Sequence, residues 1–252
     1  MFYASRMAMC RALIPKLAYD NHSLVFWTTC GPTTTFDPKI TGVAGTWFFD
    51  DGTTLAAASG AEISKTFASE GLHRAVYRPA SGGLAAITAV DCNTDLVTAI
   101  SMRGLTGCKQ FYAYANAGFV GRVSDLPAGL TTAHFGDDPR LTPASVAHLT
   151  KMQDIRIYSM GWLTADVDVV IDSMWGARAN YTYATPALQI GGTNQAPTGN
   201  VTAPVEGADW HQDGTTWIPL TTGAKAYDLA KDVNSEGFNK WTITYTGGVI
   251  AP

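Results

Sequence analysis

The chain has 252 residues, 46% hydrophobic and only 15% charged, whereas an average soluble domain carries about 25% charge. That hydrophobic content excludes wholesale disorder and is enough to bury the core of one large or two small domains. The formal net charge of −4, with no run of Lys or Arg, argues against a nucleic-acid partner and against an anionic membrane surface.

Thr, Gly, Ala, Ser and Asn take the place of the missing charge, a mixture that suits strands and tight turns more than salt-bridged helices. The opening residues 1–20 are interrupted by Arg6, Arg11 and Lys16, which argues against a signal peptide. The uncharged stretch from Ala184 is rich in Gly, Pro, Thr and Asn, so no membrane insertion is expected. Of the four cysteines, Cys10, Cys30, Cys92 and Cys108, none forms a C-x-x-C pair, so buried thiols are the default. A Cys10–Cys30 bridge stays open at this level.

In chain order, a first strand is predicted over Ser23 to Thr29. A hairpin is predicted where Thr46-Trp47-Phe48-Phe49 runs into Asp50-Asp51-Gly52-Thr53, because Gly tolerates the positive φ of the reversal. Another strand follows from Leu72 to Tyr77. The stretch Trp47 to Tyr77, with its Trp-x-Phe, Asp-Gly-Thr, Phe67 and Gly71-x-His73, resembles the core of bacterial PKD-like β-sandwich modules. Asp51 stands where that family often has Gly. The resemblance implies a partial β module over residues 1–82.

Beyond it the pattern L-x-x-L-x-L-x-x-N recurs in degenerate form. Leu84, Ile87, Ala89 and Cys92 form the first copy, and Cys108, Phe111, Ala113 and Asn116 the second. Leu130, Ala133, Phe135 and Asp138 form the third, and Met152, Ile155, Ile157 and Met160 the fourth. Thr185, Leu188, Ile190 and Thr193 form the fifth. Each copy is expected to place one strand in a parallel sheet, with return segments behind it. Helical spacing at Val146 and Leu149 within Pro143 to Leu149, and a helix over Thr164 to Ala179, supply that side. On these residues the region 83–200 resembles a divergent leucine-rich-repeat protein, similar to bacterial-surface and phage-encoded versions. The implied fold class is α/β or mainly β: a short solenoid with parallel strands, an N-terminal β module and a C-terminal α+β cap.

Residues 201–252 are read as that cap. A hairpin is expected at Trp210 to Trp217, with Asp213-Gly214 at its turn. A helix over Ala224 to Val233, capped by Thr221 or Thr222, should end by Gly237, followed by a strand from Lys240 to Tyr245. Asp166 and Asp168 are placed near a helix start, where they favour the macrodipole.

No G-x-S-x-G, P-loop, H-E-x-x-H or G-x-G-x-x-G signature is present. The histidines His22, His73, His134, His148 and His211 lie far apart, and no metal or cofactor is expected. Nor does any Glu fall on the repeat strands, as a polysaccharide-acting enzyme would favour.

The repeat frame itself supplies the candidate site. Residues between the two core positions of each copy face the open side of the sheet, namely Thr88, Tyr112, His134, Arg156 and Gln189. The next outward column is Val90, Tyr114, Gly136, Tyr158 and Gly191. Strands about 4.8 Å apart bring Tyr112, Tyr114, His134, Arg156, Tyr158 and Gln189 together as a ligand-binding face. The bland alternative is a face covered by side chains or by the N-terminal module. The expected function is non-enzymatic recognition or adhesion on a bacterial surface or phage particle, with a protein or glycan ligand. A structural tail or fibre component, with a possible homo-oligomer, is the alternative, and an enzyme acting on surface polysaccharide ranks third. The expected location is extracellular, at a cell surface or in a virion.

Overall fold

The computed structural model describes residues 22–137 and 140–252. Cys10 and Asp138 therefore lie outside the described residues, and Cys30, Cys92 and Cys108 are buried. The described residues form a mainly β fold with two α-helices, as the sequence predicts. Among the described residues, seventeen strands fall into two main sheets and two short pairs.

The first sheet is antiparallel. It contains β1 (Leu24–Thr28), β3 (Gly45–Phe49), β4 (Thr54–Ala57), β5 (His73–Pro79) and β7 (Val97–Ile100), in the order β4-β3-β5-β1-β7. Alternating residues point inward, and an aromatic cluster fills that side. Phe26 lies 5.8 Å from Phe36 and 5.2 Å from Trp47, and Trp47 lies 5.1 Å from Tyr77. The Tyr77 hydroxyl donates to the Val43 carbonyl at 2.6 Å, which satisfies the one polar atom that ring buries. The β3–β4 hairpin turns at Gly52, φ 82°, as the Asp-Gly pair predicts.

The second sheet has eight strands. They are β2 (Lys39–Thr41), β6 (Ala89–Asp91), β8 (Gln110–Tyr112), β10 (Thr132–His134), β12 (Asp154–Arg156), β13 (Ala187–Gln189), β16 (Thr242–Tyr245) and β17 (Gly248–Ile250). From β6 to β16 every pairing is parallel, while β2 and β17 add antiparallel edges. The two sheets interlock, because β2 comes from the N-terminal segment while β7 returns to the first sheet.

Register defines the repeat. Val90, Phe111, Ala133, Ile155, Leu188 and Ile243 stand opposite one another, each no more than 1% exposed. Two residues on, Cys92, Ala113, Phe135, Ile157 and Ile190 are buried as well. Small Ala113 and Ala133 leave room for the Phe111 and Phe135 rings, which stack at 5.4 Å. Burying each large side chain contributes about 1.5–3 kcal/mol. Each unit then turns at a left-handed residue: Thr94, Ala115, Asp137, Ser159 and Gly192, with φ from 58° to 74°.

This register corrects the first copy. Its frame is Ile87, Val90, Cys92 and Asp95, three residues beyond the expected Leu84, Ile87, Ala89 and Cys92. Leu84 is buried too, in a 3-10 turn spanning Leu84–Ala86, so buried residues three apart fit the template in two frames. In the fifth copy Thr185 and Thr193 are exposed, and Asn194 is buried instead.

The return segments are strands before they are helices. The Val120 amide donates to the Thr98 carbonyl of β7 at 2.7 Å. The pair β9 (Gly121–Arg122) and β11 (Leu141–Thr142) is parallel. Pro143 to Leu149 is not helical; Val146 and Leu149 are buried from turns. The next unit has α1 (Thr164–Gly176), which buries Val167, Val170, Ile171 and Met174. Asp166 accepts from the Leu163 amide at 3.1 Å, while Asp168 accepts from the Thr198 amide at 2.9 Å.

The chain then makes the hairpin β14 (Trp210–Asp213) and β15 (Thr216–Pro219), turning at Gly214, and enters α2 (Thr222–Lys231). Thr221 is its N-cap and accepts from the Ala224 amide at 3.3 Å. The helix stops at Asp232, which is left-handed (φ 53°), before the expected Val233 and Gly237. The strand after it, β16, continues the parallel ladder. Among the described residues no helix is long and apolar enough to cross a membrane.

One glycine locks two units together. A Cβ on Gly107 would lie 1.9 Å from the Ala85 carbonyl oxygen. Backbone on both sides leaves little room to relax, so Gly107→Ala is expected to cost about 2–4 kcal/mol. Thermal unfolding checks this, and melting within a degree of the parent would refute the packing.

Candidate functional site

The outward row of the parallel sheet is Asp91, Tyr112, His134, Arg156, Gln189 and Thr244, one residue per strand. The structure thus places Tyr112, His134, Arg156 and Gln189 side by side on four neighbouring strands. Asp91 occupies the place expected for Thr88, which precedes β6. Val90, expected in the second outward column, is in the core and fully buried. Both corrections follow from the frame of the first copy, since a change of frame moves side chains between core and solvent.

The ladder continues past the strands. Ala115, Asp137 and Ser159 amides donate to the Gly136, Tyr158 and Gly191 carbonyls at 2.9, 3.1 and 3.0 Å. Tyr114, Gly136, Tyr158 and Gly191 therefore form the next outward row, as expected. Tyr114 and Tyr158 stand two strands apart, about 9.6 Å at the backbone. Their ring centroids are only 6.1 Å apart, tilted by 37°. Both lean over Gly136, where a Cβ would lie 2.7 Å from each ring. The absence of a side chain lets the two rings meet.

Asp154, two residues before Arg156, organises the first row. Its Oδ2 lies 2.9 Å from His134 Nε2 and accepts from Arg156 Nε at 2.9 Å and Nη2 at 2.8 Å. Burial would raise its pKa, but the hydrogen bonds from His134 and Arg156, with the Arg156 charge, hold the carboxyl below its usual range. Its Oδ1 is buried without a hydrogen-bond partner. The Tyr112 ring meets His134 edge-on at 5.0 Å, and burial, followed by the negative Asp91 and Asp154, raises its phenol pKa. The Tyr114 phenol is pushed up to about 12, first by its hydrogen bond with Asp137 and then by Tyr158. Lys39 on β2 faces Asp91 at 3.8 Å.

Two carboxylates of this surface, Asp91 and Asp154, escaped the sequence reading. The alternation of the strand could have found Asp154, since residues two apart share a face. Asp91 was hidden by the misplaced frame. Among the described residues no group of three or more His, Cys, Asp or Glu could hold a metal ion. The chemistry on offer is stacking on aromatic faces beside a hydrogen-bonding row. Compared with protein families, with curated proteins and with solved structures, the chain has no match.

Proposed function

We propose that this protein is a non-enzymatic recognition or adhesion module that binds its ligand on the open face of the parallel sheet. The observation that carries the reading is the row Tyr112, His134, Arg156 and Gln189, partly exposed on four neighbouring strands beside the paired rings of Tyr114 and Tyr158. Aromatic and Arg side chains combine large contact area with a polar end, and they dominate binding hot spots. Asp154 fixes two members of the row in place, which lowers the ordering cost of binding. A non-catalytic role fits the spacing of Asp91 and Asp154. They stand three strands apart, about 14 Å at the backbone, whereas paired glycosidase carboxylates are at most about 9.5 Å apart.

In family terms, the unit register, buried Asn116 and Asn194, and the left-handed corners support a divergent leucine-rich repeat. The aromatic N-terminal sheet supports a PKD-like module. The low charge and the absence of basic runs fit a bacterial surface or a phage particle. A structural tail or fibre role is favoured by one observation. Val249 on edge strand β17 is 64% exposed, and an uncovered edge strand is a site for pairing between copies.

Glycan and protein arrays test the main reading, with the parent beside a variant carrying Tyr112→Ala, His134→Ala and Arg156→Ala. Parent binding that falls by about a hundredfold in the folded variant is expected if these are hot-spot residues. A parent that binds nothing, yet sediments as a defined oligomer, would transfer the case to the structural role.

A further inference from the structure

We propose that the ligand of this face is a neutral oligosaccharide, seated on the shelf formed by Tyr114 and Tyr158 over Gly136 and held at its edge by Arg156 and Gln189. The proposal rests on the sheet-face reading above and adds the ligand class.

Area argues first. Six strands, β6 to β16, span about 24 Å, and three outward residues on each span about 13 Å, which gives about 300 Å². A stable protein partner typically covers about 800 Å², so the face is too small for one unless other surfaces join in. An extended chain of sugars lying across the strands needs a narrow strip of this kind.

Charge argues second. The fixed charges on the face are largely compensated within it: Asp154 by Arg156, with His134 alongside, and Asp91 by Lys39. Among the described residues, no cluster of bare cations stands on this face to hold a sulfate, phosphate or carboxylate. Asp137 beside Tyr114 disfavours an anion there.

Shape argues third. Two half-exposed Tyr rings 6.1 Å apart and tilted by 37° form one broad aromatic surface rather than a slot, since a ring inserted between them would need more room. Sugar rings present C–H faces to such a surface and hydroxyls at their rim, where the guanidinium of Arg156, 40% exposed in its side chain, and the amide of Gln189 can donate. Gly136 makes the shelf possible. Its φ is not in the left-handed region, so Ala can adopt the backbone, and only the meeting of the two rings is lost.

The test is calorimetric titration with neutral cello-, chito-, malto- and laminari-hexaose and with an acidic oligogalacturonate, after circular dichroism shows that each variant is folded. The expected result is binding of at least one neutral hexaose by the parent, with the acidic probe weaker. Gly136→Ala and Tyr158→Ala should each weaken that binding by about tenfold or more, whereas Tyr114→Phe and Tyr158→Phe, which keep the rings, should stay within about threefold. Binding that survives Gly136→Ala and Tyr158→Ala unchanged would overturn the shelf. Failure of the parent to bind any neutral hexaose would overturn the ligand class. If the arrays meanwhile find a purified protein ligand lost on Arg156→Ala, recognition by the face stands and only the saccharide assignment falls. If they find nothing, both fall.

Discussion

Asn194→Ala is expected to lower stability by about 3–5 kcal/mol, because one buried side chain satisfies four main-chain groups. Its Nδ2 donates to the Ile157 and Ile190 carbonyls at 2.8 and 2.9 Å, and its Oδ1 accepts from the Met160 and Trp162 amides at 2.9 and 3.1 Å. The residue is 2% exposed, so water replaces these bonds only by entering the cavity that Ala leaves. These four bonds tie the exit of β12 to the exit of β13 and set the start of α1. Equilibrium urea unfolding measures the loss. A difference under about 1 kcal/mol would mean that the ladder alone holds these corners. Asn194→Asp should be worse at neutral pH, since a carboxylate would face two carbonyls, and should recover part of its stability in acid, where a protonated carboxyl can donate.

The opposite sign is expected at the corresponding corner of the first unit. Asp95 occupies the position that Asn116 takes in the next unit, is 1% exposed, and accepts from the Asp37 amide at 3.2 Å. Burial, hydrogen bonding to the Asp37 side chain, and the negative charges of Asp37 and Asp91 push its pKa up to about 9. An unfolded Asp titrates near 3.9. Between those values the folded state holds one proton more than the unfolded state, so stability falls as pH rises from about 4 to about 9. Asp95→Asn removes that dependence and lets an amide donate to Asp37 at every pH. The variant is expected to gain about 2–4 kcal/mol at pH 8, less than the full linkage because the two carboxyls are coupled. The gain should shrink toward zero near pH 4. Urea midpoints of parent and variant at pH 4, 6 and 8 check it, and parallel profiles across that range would sink the assignment.

Much of the architecture was legible because it follows from short-range rules. Alternation placed β1, β3, β5 and the inward residues of β8, β10, β12 and β13. Asp-Gly pairs placed both hairpin turns, and Thr221 with the apolar spacing behind it placed α2. Four of the five repeat copies came out with their strand in the correct frame, and with them Tyr112, Tyr114, His134, Arg156, Tyr158 and Gln189 as outward neighbours. The corners at Thr94, Ala115 and Ser159 were not legible: these residues adopt left-handed backbone without the Gly that normally announces it. The spacing of Val146 and Leu149 fitted a helix, but their burial from turns satisfies the same spacing.

By itself, then, the sequence determined most of the buried apolar residues, where most strands and turns lie, and that a unit recurs. Those properties are written in local patterns of side-chain polarity and backbone preference. Tertiary structure alone decided the frame of the first unit, the exchange of β2 and β7 between the sheets, and the burial of Asp95. It also decided the meeting of Tyr114 and Tyr158 over Gly136. Each of these depends on which strand stands beside which, and pairings outside the repeat, such as Ile40 with Val90 or Phe26 with Ile100, leave no periodic mark in the chain.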